Sequence, residues 1–272
     1  MNNIIKRLPV ILIGIPSVIF LVSLGGLPFS ILFTIVLLLC AYEMLNLSKK
    51  NSARPNTFVA MTSIVSIAVL YYFLPNIDLI YFLVLIFSIV IMTIYIETFR
   101  GFSNPTINIS TTFIAILYIG VLFGSMIALR QFDTFYGTGF TMCMLISVWI
   151  CDSFAYSFGK AFGKKKLIER LSPKKTLFGF IAGNVGSFSS IYILNYLQVT
   201  KVDLSLNSMV VFSIIIGCFG QWGDIAESMF KREVNTKDSS SLLFAHGGFL
   251  DRCDSLILTS PLVLIFAMTL LG

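Results

Sequence analysis

Long apolar runs separated by short turn-forming segments are the feature that most limits how this chain can fold. A helix needs about 20 apolar residues to cross the hydrocarbon core of a bilayer. Gly25-Gly26-Leu27-Pro28 and Pro75-Asn76 are two of the separating turns. The sequence predicts an all-α, polytopic transmembrane helical bundle of about nine spans, over residues 8–25, 28–46, 57–75, 78–98, 108–129, 138–159, 176–196, 206–223 and 254–271.

Composition excludes several other classes of protein. Hydrophobic residues make up 57% of the 272-residue chain, charged residues make up 12%, and the mean hydropathy is +0.91. A soluble domain carries about 25% charged residues. A soluble enzyme is therefore excluded, as are a disordered chain and a secreted disulfide scaffold. A transmembrane β-barrel would alternate apolar and polar residues, whereas these apolar runs are unbroken.

Lysine and arginine are distributed asymmetrically between the predicted loops. If the N-terminus is cytoplasmic and the spans alternate, all of the 19 basic residues except Arg130 and Lys201 fall on the cytoplasmic side. Cytoplasmic loops are enriched in Lys and Arg, so we expect this orientation in the cell (cytoplasmic) membrane. Residues 1–272 are expected to form one integral membrane domain, with apolar helices in 1–130 and the candidate active site, facing the cytoplasm, in 138–272.

Five acidic residues, Glu43, Glu97, Asp152, Asp224 and Glu227, lie within or at the ends of apolar runs, where a charge is costly and is usually paired or functional. Glu43 is close to the Lys49-Lys50 pair, and Glu97 is close to Arg100. For both, the sequence favours an interfacial ion pair. Asp152 follows a long apolar run and is expected to face the bundle interior. A structural hydrogen bond to another helix is the alternative for Asp152.

A polar stripe follows the eighth apolar run. Glu227, Ser228 and Lys231 come three, four and seven residues after Asp224, so a helix would place all four on one face. Two carboxylates and a hydroxyl on one face can hold a hard cation such as Mg²⁺. An i,i+4 pair between Glu227 and Lys231 on a solvated helix end is an equally good interpretation.

The segment before the last span is dense in chemically active residues. His246 is the only histidine of the chain, and Gly247-Gly248 beside it would let backbone N–H groups approach an anion closely. Asp251 and Asp254 follow, with Arg252 between them. A lone histidine is more often structural, and a glycine pair is more often a plain turn. The density of these residues nevertheless favours a metal–phosphate site.

A basic segment precedes the seventh span. Residues 159–166 look at first like a P-loop, but the glycine spacing differs and no Ser or Thr follows the lysine. In Ser172-Pro173-Lys174-Lys175-Thr176, Pro173 suits a first helical turn, and the lysines favour a phosphate at a helix N-terminus. A loop that only sets topology would carry the same charge. Carboxylates, basic residues and glycines on one membrane face suit phosphoryl or nucleotidyl transfer.

Several segments of the second half occur in an order that is typical of a known family. They are Asp152-Ser153-Phe154-Ala155-Tyr156 with Gly159-Lys160 and Gly163-Lys164, Ser172-Pro173-Lys174-Lys175-Thr176, Gly223-Asp224 with Glu227-Ser228, Lys231-Arg232, Lys237-Asp238, and His246-Gly247-Gly248-Phe249-Leu250-Asp251-Arg252-Cys253-Asp254. This half resembles the phosphatidate cytidylyltransferase family, the CDP-diacylglycerol synthases. The chain departs from the family pattern at Phe178, where an acidic residue is usual, and more mildly at Phe244 and Cys253.

The resemblance implies an integral membrane enzyme that joins CTP and phosphatidate to give CDP-diacylglycerol and pyrophosphate, with Mg²⁺ and with room for a second cation. It implies catalytic roles for Asp224, Asp251, Lys231 and His246. It implies metal ligands at Asp224 and Asp251 first, then at Asp254 and Asp152. It implies substrate contacts from Ser172, Lys174, Lys175, Arg232, Lys237, Gly247, Gly248 and Arg252. It also suggests a homodimer in the lipid bilayer, and no nucleic-acid partner is expected.

Two alternatives use the same residues. A transporter of a phosphorylated or anionic solute would also need buried acids and a basic cytoplasmic mouth. It predicts ionisable groups in both halves of the membrane and a pseudo-repeat, whereas the first five runs carry acids only near their ends. A related enzyme acting on another lipid, such as a polyprenol kinase or a different lipid nucleotidyltransferase, is the second alternative.

Overall fold

The computed structural model describes residues 8–76, 79–240, 242 and 247–271, with side chains described from residue 14 onward. The elements, in chain order, are α1 (Leu8–Leu24), α2 (Gly26–Lys50), α3 (Thr57–Phe73), α4 (Leu79–Arg100), α5 (Pro105–Gln131), α6 (Tyr136–Phe162), β1 (Lys166–Ile168), β2 (Ser172–Thr176), α7 (Leu177–Tyr196), α8 (Leu206–Glu233) and α9 (Leu250–Leu271). The predicted helical class is confirmed, and one short hairpin is added to it.

Among the residues that the structure describes, seven helices, α2 and α4 to α9, are long and apolar enough to cross a membrane. The chain is therefore an integral membrane protein built as a helical bundle. The helices α1 and α3 are also apolar, but each is only 17 residues long. Nine spans are therefore not confirmed, and the described part of the chain contains seven helices of clear spanning length.

The helices pack through one continuous apolar core. Its largest fully buried side chains come from α2, α3, α5, α6 and α8, and include Leu37, Ile64, Phe123, Phe140 and Phe212. Large apolar side chains also cover the outer faces of the bundle, where lipid would contact them. Lipid tails are as apolar as these side chains, so close packing between helices holds the bundle together.

Small residues let α6 and α7 approach closely beside the hairpin. A methyl group on Gly179 would lie 2.7 Å from the carbonyl oxygen of Ala155, and one on Gly159 would lie 3.2 Å from the Cα of Gly179. Glycine removes the side chains that would keep two helix backbones apart. This crossing forms one wall of the cavity described below.

The hairpin between α6 and α7 is not predicted by the sequence. Strands β1 and β2 pair antiparallel, with Lys166 opposite Thr176. The expectation that Pro173 lies in a first helical turn is wrong, because Pro173 lies in β2 and α7 begins only at Leu177. A two-stranded hairpin has only edge strands, and these tolerate a residue without a backbone N–H. The side chain of Thr176 caps α7 by accepting the N–H of Gly179.

Helix α8 continues well past the predicted end of its span at residue 223. A π-helical stretch, Ile215–Phe219, interrupts it before the regular helix resumes, and such bulges are frequent at functional sites. The extension keeps Asp224, Glu227 and Lys231 on one helix, as the predicted stripe requires. Helix α9 also begins earlier than predicted, at Leu250 rather than at residue 254.

Candidate active site

A cavity of about 730 Å³ lies where α6, the hairpin, α7, α8 and α9 meet. The structure brings together predicted site residues from the polar stripe on α8, from the segment before the last span and from the basic segment before α7. Those that line the cavity are Asp152, Ser172, Lys174, Lys175, Asp224, Asp251, Arg252 and Asp254. Lys160 and Lys166 also line it. The cavity therefore combines carboxylates with several basic side chains, as a site for phosphates and a cation requires.

Three carboxylates converge beside this cavity, and two of them, Asp224 and Asp254, line it. One ligand oxygen from each of Asp224, Glu227 and Asp254 lies within 4.8 Å of the others, and we call these three residues the acidic cluster. Glu227 is completely buried, and its Oε1 has no hydrogen-bond partner among the described residues. Asp224 and Asp254 are partly exposed, whereas a buried carboxylate such as Glu227 beside two others is costly unless a cation compensates it. Carboxylate oxygens are the ligands that hard divalent cations prefer, so the cluster fits such an ion.

Lys231 connects the acidic cluster to Asp251. Its Nζ pairs with Glu227, one turn away on α8, and donates to Asp251 Oδ1 at 2.6 Å. Lys231 is only 8% exposed. The i,i+4 pair considered from the sequence therefore exists, but it is buried rather than solvated. Lys231 contacts two carboxylates of the chain, and its predicted role in catalysis remains a prediction.

Asp251 is fully engaged by contacts within the chain. Its Oδ1 accepts from Lys231, and its Oδ2 accepts the N–H of Gly248 at 2.7 Å. The N–H and the hydroxyl of Ser239 also lie 3.0 and 2.9 Å from Oδ2. Within the described residues, the converging group of three or more potential ligands contains Glu227 rather than Asp251 or Asp152. Metal ligation by Asp251 and Asp152 remains a prediction.

The hairpin brings a lysine directly to α8. Lys175 Nζ lies 2.8 Å from Asp224 Oδ2 and donates to the backbone oxygen of Gln221 at 3.0 Å. Lys174, the preceding residue, is exposed and lines the cavity. One lysine therefore orients a cluster carboxylate, while its neighbour reaches the open space. This arrangement supports a role for both lysines near a phosphate.

Two predicted substrate contacts lie away from the cavity lining. Arg232 donates to the backbone oxygens of Leu171, at 3.2 Å, and of Thr236, at 2.8 Å. It thereby ties the end of α8 to the turn of the hairpin. Lys237 is exposed beyond the end of α8. Contacts from these two residues to substrate remain predictions.

The predicted glycine nest is occupied by the chain's own carboxylates. The Gly248 N–H donates to Asp251, and the next two amides, of Phe249 and Leu250, donate to Glu43. Of these donors, the Gly248 amide belongs to the glycine pair for which the sequence suggests anion binding. Gly247 adopts a positive φ of 80°, which glycine accommodates without strain. His246 lies outside the described residues, so its predicted role is untested.

Glu97 and Glu43, two acidic residues of the N-terminal apolar runs, have different kinds of partner. Glu97 pairs with Arg100 at 2.5 Å, as predicted, and accepts from Asn108 Nδ2 at 2.8 Å. The predicted pairing of Glu43 with neighbouring lysines is wrong: Glu43 points into the bundle, is 1% exposed, and accepts from the segment before α9. The sequence indicated the buried role of Glu43 only by placing a carboxylate within an apolar run. Ser239 gave no signal at all.

Comparison with known proteins agrees with the geometry. The sequence pattern of the cytidylyltransferase family matches residues 5–270. The chain is 29% identical over 251 residues to the phosphatidate cytidylyltransferase of Bacillus subtilis (strain 168), covering 89% of each protein. It is 30% identical over 242 residues to that of Staphylococcus aureus (strain COL), covering 88% of this chain and 89% of the relative.

A third relative matches more closely over a shorter region. It is the phosphatidate cytidylyltransferase of Staphylococcus haemolyticus (strain JCSC1435), at 38% identity over 151 residues and 55% of each protein. The family match and the two longer alignments extend over both the apolar N-terminal helices and the segments that form the cavity. The chain therefore belongs to the cytidylyltransferase family, the family of its phosphatidate cytidylyltransferase relatives.

Proposed function

We propose that this protein transfers the cytidylyl group of CTP to phosphatidate, giving CDP-diacylglycerol and pyrophosphate. The observation that carries the proposal is the cavity where α6 to α9 meet, in which Asp224 and Asp254 of the acidic cluster lie beside several lysines. A nucleoside triphosphate and a lipid phosphate are both anionic, so their reaction needs positioning and charge neutralisation. The names of the relatives, which align over most of the chain, support the same substrates.

The reaction is an in-line displacement at phosphorus. A phosphate oxygen of phosphatidate attacks the α-phosphorus of CTP, and the bond from that phosphorus to the bridging oxygen of the β-phosphate breaks. The electron pair of the broken bond leaves with pyrophosphate. A bound divalent cation, which we propose is Mg²⁺, supplies positive charge to the triphosphate oxygens. Asp224, Glu227 and Asp254 are the residues that would hold it.

The basic residues of the cavity have distinct roles in this proposal. Lys175 keeps Asp224 oriented through their 2.8 Å ion pair. Lys174 and Lys166 line the cavity and form no ion pair within the described part of the chain. Their charges are therefore available to the phosphates of CTP and of the lipid. Arg252 and Ser172 line the same cavity and are further candidates for substrate contact.

We propose that the active site faces the cytoplasm, where CTP is present, and that the lipid tails stay in the bilayer. The positive-inside distribution of Lys and Arg supports this orientation. We further propose nine crossings, with α1 and α3 included. A short apolar helix can cross where the bilayer thins locally or where flanking residues reach toward the interface.

We also propose a homodimer and a second cation. The homodimer follows from the family resemblance. The second cation is supported by Asp152, a further carboxylate that lines the cavity with Asp224 and Asp254. Among the alternatives, a transporter is not favoured, because the family and the relatives are those of nucleotidyltransferases. An enzyme that uses another lipid is separated from our proposal by the experiment below.

The direct test is pyrophosphate release by the purified full-length chain with CTP, phosphatidate and Mg²⁺. We expect release that requires all three components. Release with another lipid phosphate or a polyprenol, but not with phosphatidate, would overturn the substrate assignment. Absence of release together with uptake of an anionic tracer into proteoliposomes would favour the transporter.

A paired variant connects the activity to the cluster. Asp224→Asn removes a carboxylate that the proposed cation needs, and we expect turnover to fall by at least about 100-fold, since even indirect partners of a metal contribute roughly 10- to 100-fold. Asp203→Asn is the matched control. Asp203 lies between α7 and α8, accepts from Gln198 at 2.6 Å, and does not line the cavity. Equal activity of the two variants would contradict the assignment.

A further inference from the structure

Glu43 lies in the N-terminal half of the chain, yet its carboxylate is bound by the segment that precedes α9. It accepts hydrogen bonds from the hydroxyls of Ser239 and Ser240, at 2.8 and 2.6 Å. It also accepts the backbone N–H groups of Phe249 and Leu250, at 3.0 and 2.9 Å. Within the described residues no lysine or arginine forms an ion pair with it. Its charge is therefore compensated by hydroxyls and by the N-terminus of α9.

The local backbone is shaped to admit this carboxylate. A methyl group at Gly248 would collide with both Ser239 Oγ and Glu43 Oε2. Glu43 itself is 1% exposed, and Ser239 is 6% exposed. A glycine at this position, a buried acceptor and two serine donors thus form one close-fitting contact between α2 and the start of α9.

A continuous chain of contacts runs from Glu43 to the acidic cluster. Ser239 Oγ lies 2.8 Å from Glu43 Oε2 and 2.9 Å from Asp251 Oδ2, so its single hydroxyl proton is shared between two carboxylates. Asp251 Oδ1 accepts from Lys231 at 2.6 Å. Lys231 in turn pairs with Glu227, a member of the cluster. We call this series, Glu43–Ser239–Asp251–Lys231–Glu227, the contact chain.

We propose that Glu43 is a positioning residue: through the contact chain it fixes the place of Glu227 in the acidic cluster. The inference rests on the proposed function of that cluster as a divalent cation site. Glu43 does not line the cavity, and the proposal gives it no direct contact with substrate. It acts as an outer partner, and such partners orient the groups that hold a metal.

A purely structural role for Glu43 makes a different prediction. If Glu43 only caps α9, its loss lowers the thermal stability of the protein and the fraction that is folded, and the folded fraction still binds cation normally. If Glu43 positions the cluster, the folded protein binds cation more weakly. Cation affinity of the folded protein therefore separates the two roles, and it does not depend on turnover.

The test measures binding of Mn²⁺ alone to the purified full-length chain, by the loss of the electron paramagnetic resonance signal of free Mn²⁺. In Glu43→Gln, an amide donor replaces one of the carboxylate oxygens that now accept. We expect the Mn²⁺ concentration at half-saturation to rise by about 10-fold or more. Ser239→Ala removes the shared hydroxyl and leaves the two backbone contacts of Glu43 in place, so we expect a smaller rise in the same direction.

The double variant tests the contact chain itself. Because Glu43 and Ser239 act in series, combining the two substitutions should add little to the effect of Glu43→Gln alone. Fully multiplicative effects would overturn the proposal. If Glu43→Gln does not purify as a folded protein, Ser239→Ala decides: an unchanged half-saturation in that folded variant overturns the proposal.

Glu97→Gln is the matched control, because Glu97 is also a buried carboxylate at the end of an N-terminal helix but contacts Arg100 and Asn108. We expect it to lower thermal stability without changing Mn²⁺ half-saturation. An equal rise in this control would overturn the specific role of Glu43. If the wild-type chain binds Mn²⁺ in a Glu43-dependent way but does not convert CTP and phosphatidate, the proposed reaction fails and the positioning role stands.

Discussion

Gly248 shows how strictly a single position can be constrained in this site. Any side chain there would enter the space that Ser239 and Glu43 share. The sequence suggested that Gly247-Gly248 opens backbone amides to a phosphate, but the Gly248 amide donates to Asp251. The glycine is needed for the approach of a carboxylate from the chain itself, which a local pattern cannot reveal.

Gly248→Ala should therefore damage both stability and activity. The added methyl group must displace Ser239 or Glu43, and overpacking of this kind costs about 1–3 kcal/mol. We expect a lower thermal midpoint in detergent and a large loss of pyrophosphate release. Gly14→Ala serves as the control, because a methyl group on Gly14 meets no atom of the described residues within 4 Å. Wild-type behaviour of Gly248→Ala would contradict the tight contact.

Asp251→Asn tests the central residue of the contact chain. An asparagine cannot accept from Lys231 on one side and from Ser239 and Gly248 on the other, because one of its two terminal groups is a donor. We expect turnover to fall by about 100-fold or more while the protein still inserts and folds. Asp238→Asn, at an exposed position of the same segment, should retain activity. Near-normal turnover of Asp251→Asn would refute its role.

At the scale of elements, the sequence predicted the features that show in the length of an apolar run or in the spacing of polar residues. The long runs predicted the membrane helices, and the spacing of Asp224, Glu227 and Lys231 placed them correctly on one helical face. The hairpin was missed because strands of three and five residues are too short to show a period. The hairpin matters for the candidate site, since it places Lys174 and Lys175 in the cavity lining from an extended backbone.

Lys174→Ala tests the hairpin as a phosphate-binding element. Lys174 lines the cavity, is exposed, and makes no ion pair within the described residues, so its removal leaves the fold intact. Loss of one charge-assisted contact, worth about 1.5 kcal/mol or more, should raise the KM for CTP or for phosphatidate roughly 10-fold. Lys165→Ala, next to β1 but outside the cavity lining, is the control. Unchanged KM values for both substrates would remove Lys174 from the site.

At the scale of the whole molecule, the N-terminal and C-terminal halves join at the site. Glu43 is 207 positions before Leu250, one of its partners. No spacing rule connects residues so distant, and the nearer lysines offered a simpler partner for the same carboxylate. Local spacing therefore placed Asp224 and Glu227 on one helical face, but it left Asp254 in a separate segment and could not assign Glu43 to the acidic cluster. Only the packing of α2 against the start of α9 does so.

The proposed topology of the whole molecule can be tested at the short helix α3, by asking whether it crosses the membrane. Ser52 lies before it and Asn76 after it, and both are exposed. If α3 crosses the membrane and the N-terminus is cytoplasmic, a membrane-impermeant maleimide should label Asn76→Cys in intact cells and Ser52→Cys only after permeabilisation.

Lys201→Cys and Lys165→Cys, on either side of the full-length helix α7, provide the outer and inner references. The wild-type chain, whose Cys40, Cys143 and Cys151 are buried, gives the background. Labelling of Ser52→Cys and Asn76→Cys from the same side would show that α3 does not cross. A reversed pattern in all four variants would invert the orientation and place the cavity away from cytoplasmic CTP. Labelling from opposite sides in the expected sense would put Glu43, at the end of α2, on the same membrane face as the nucleotide.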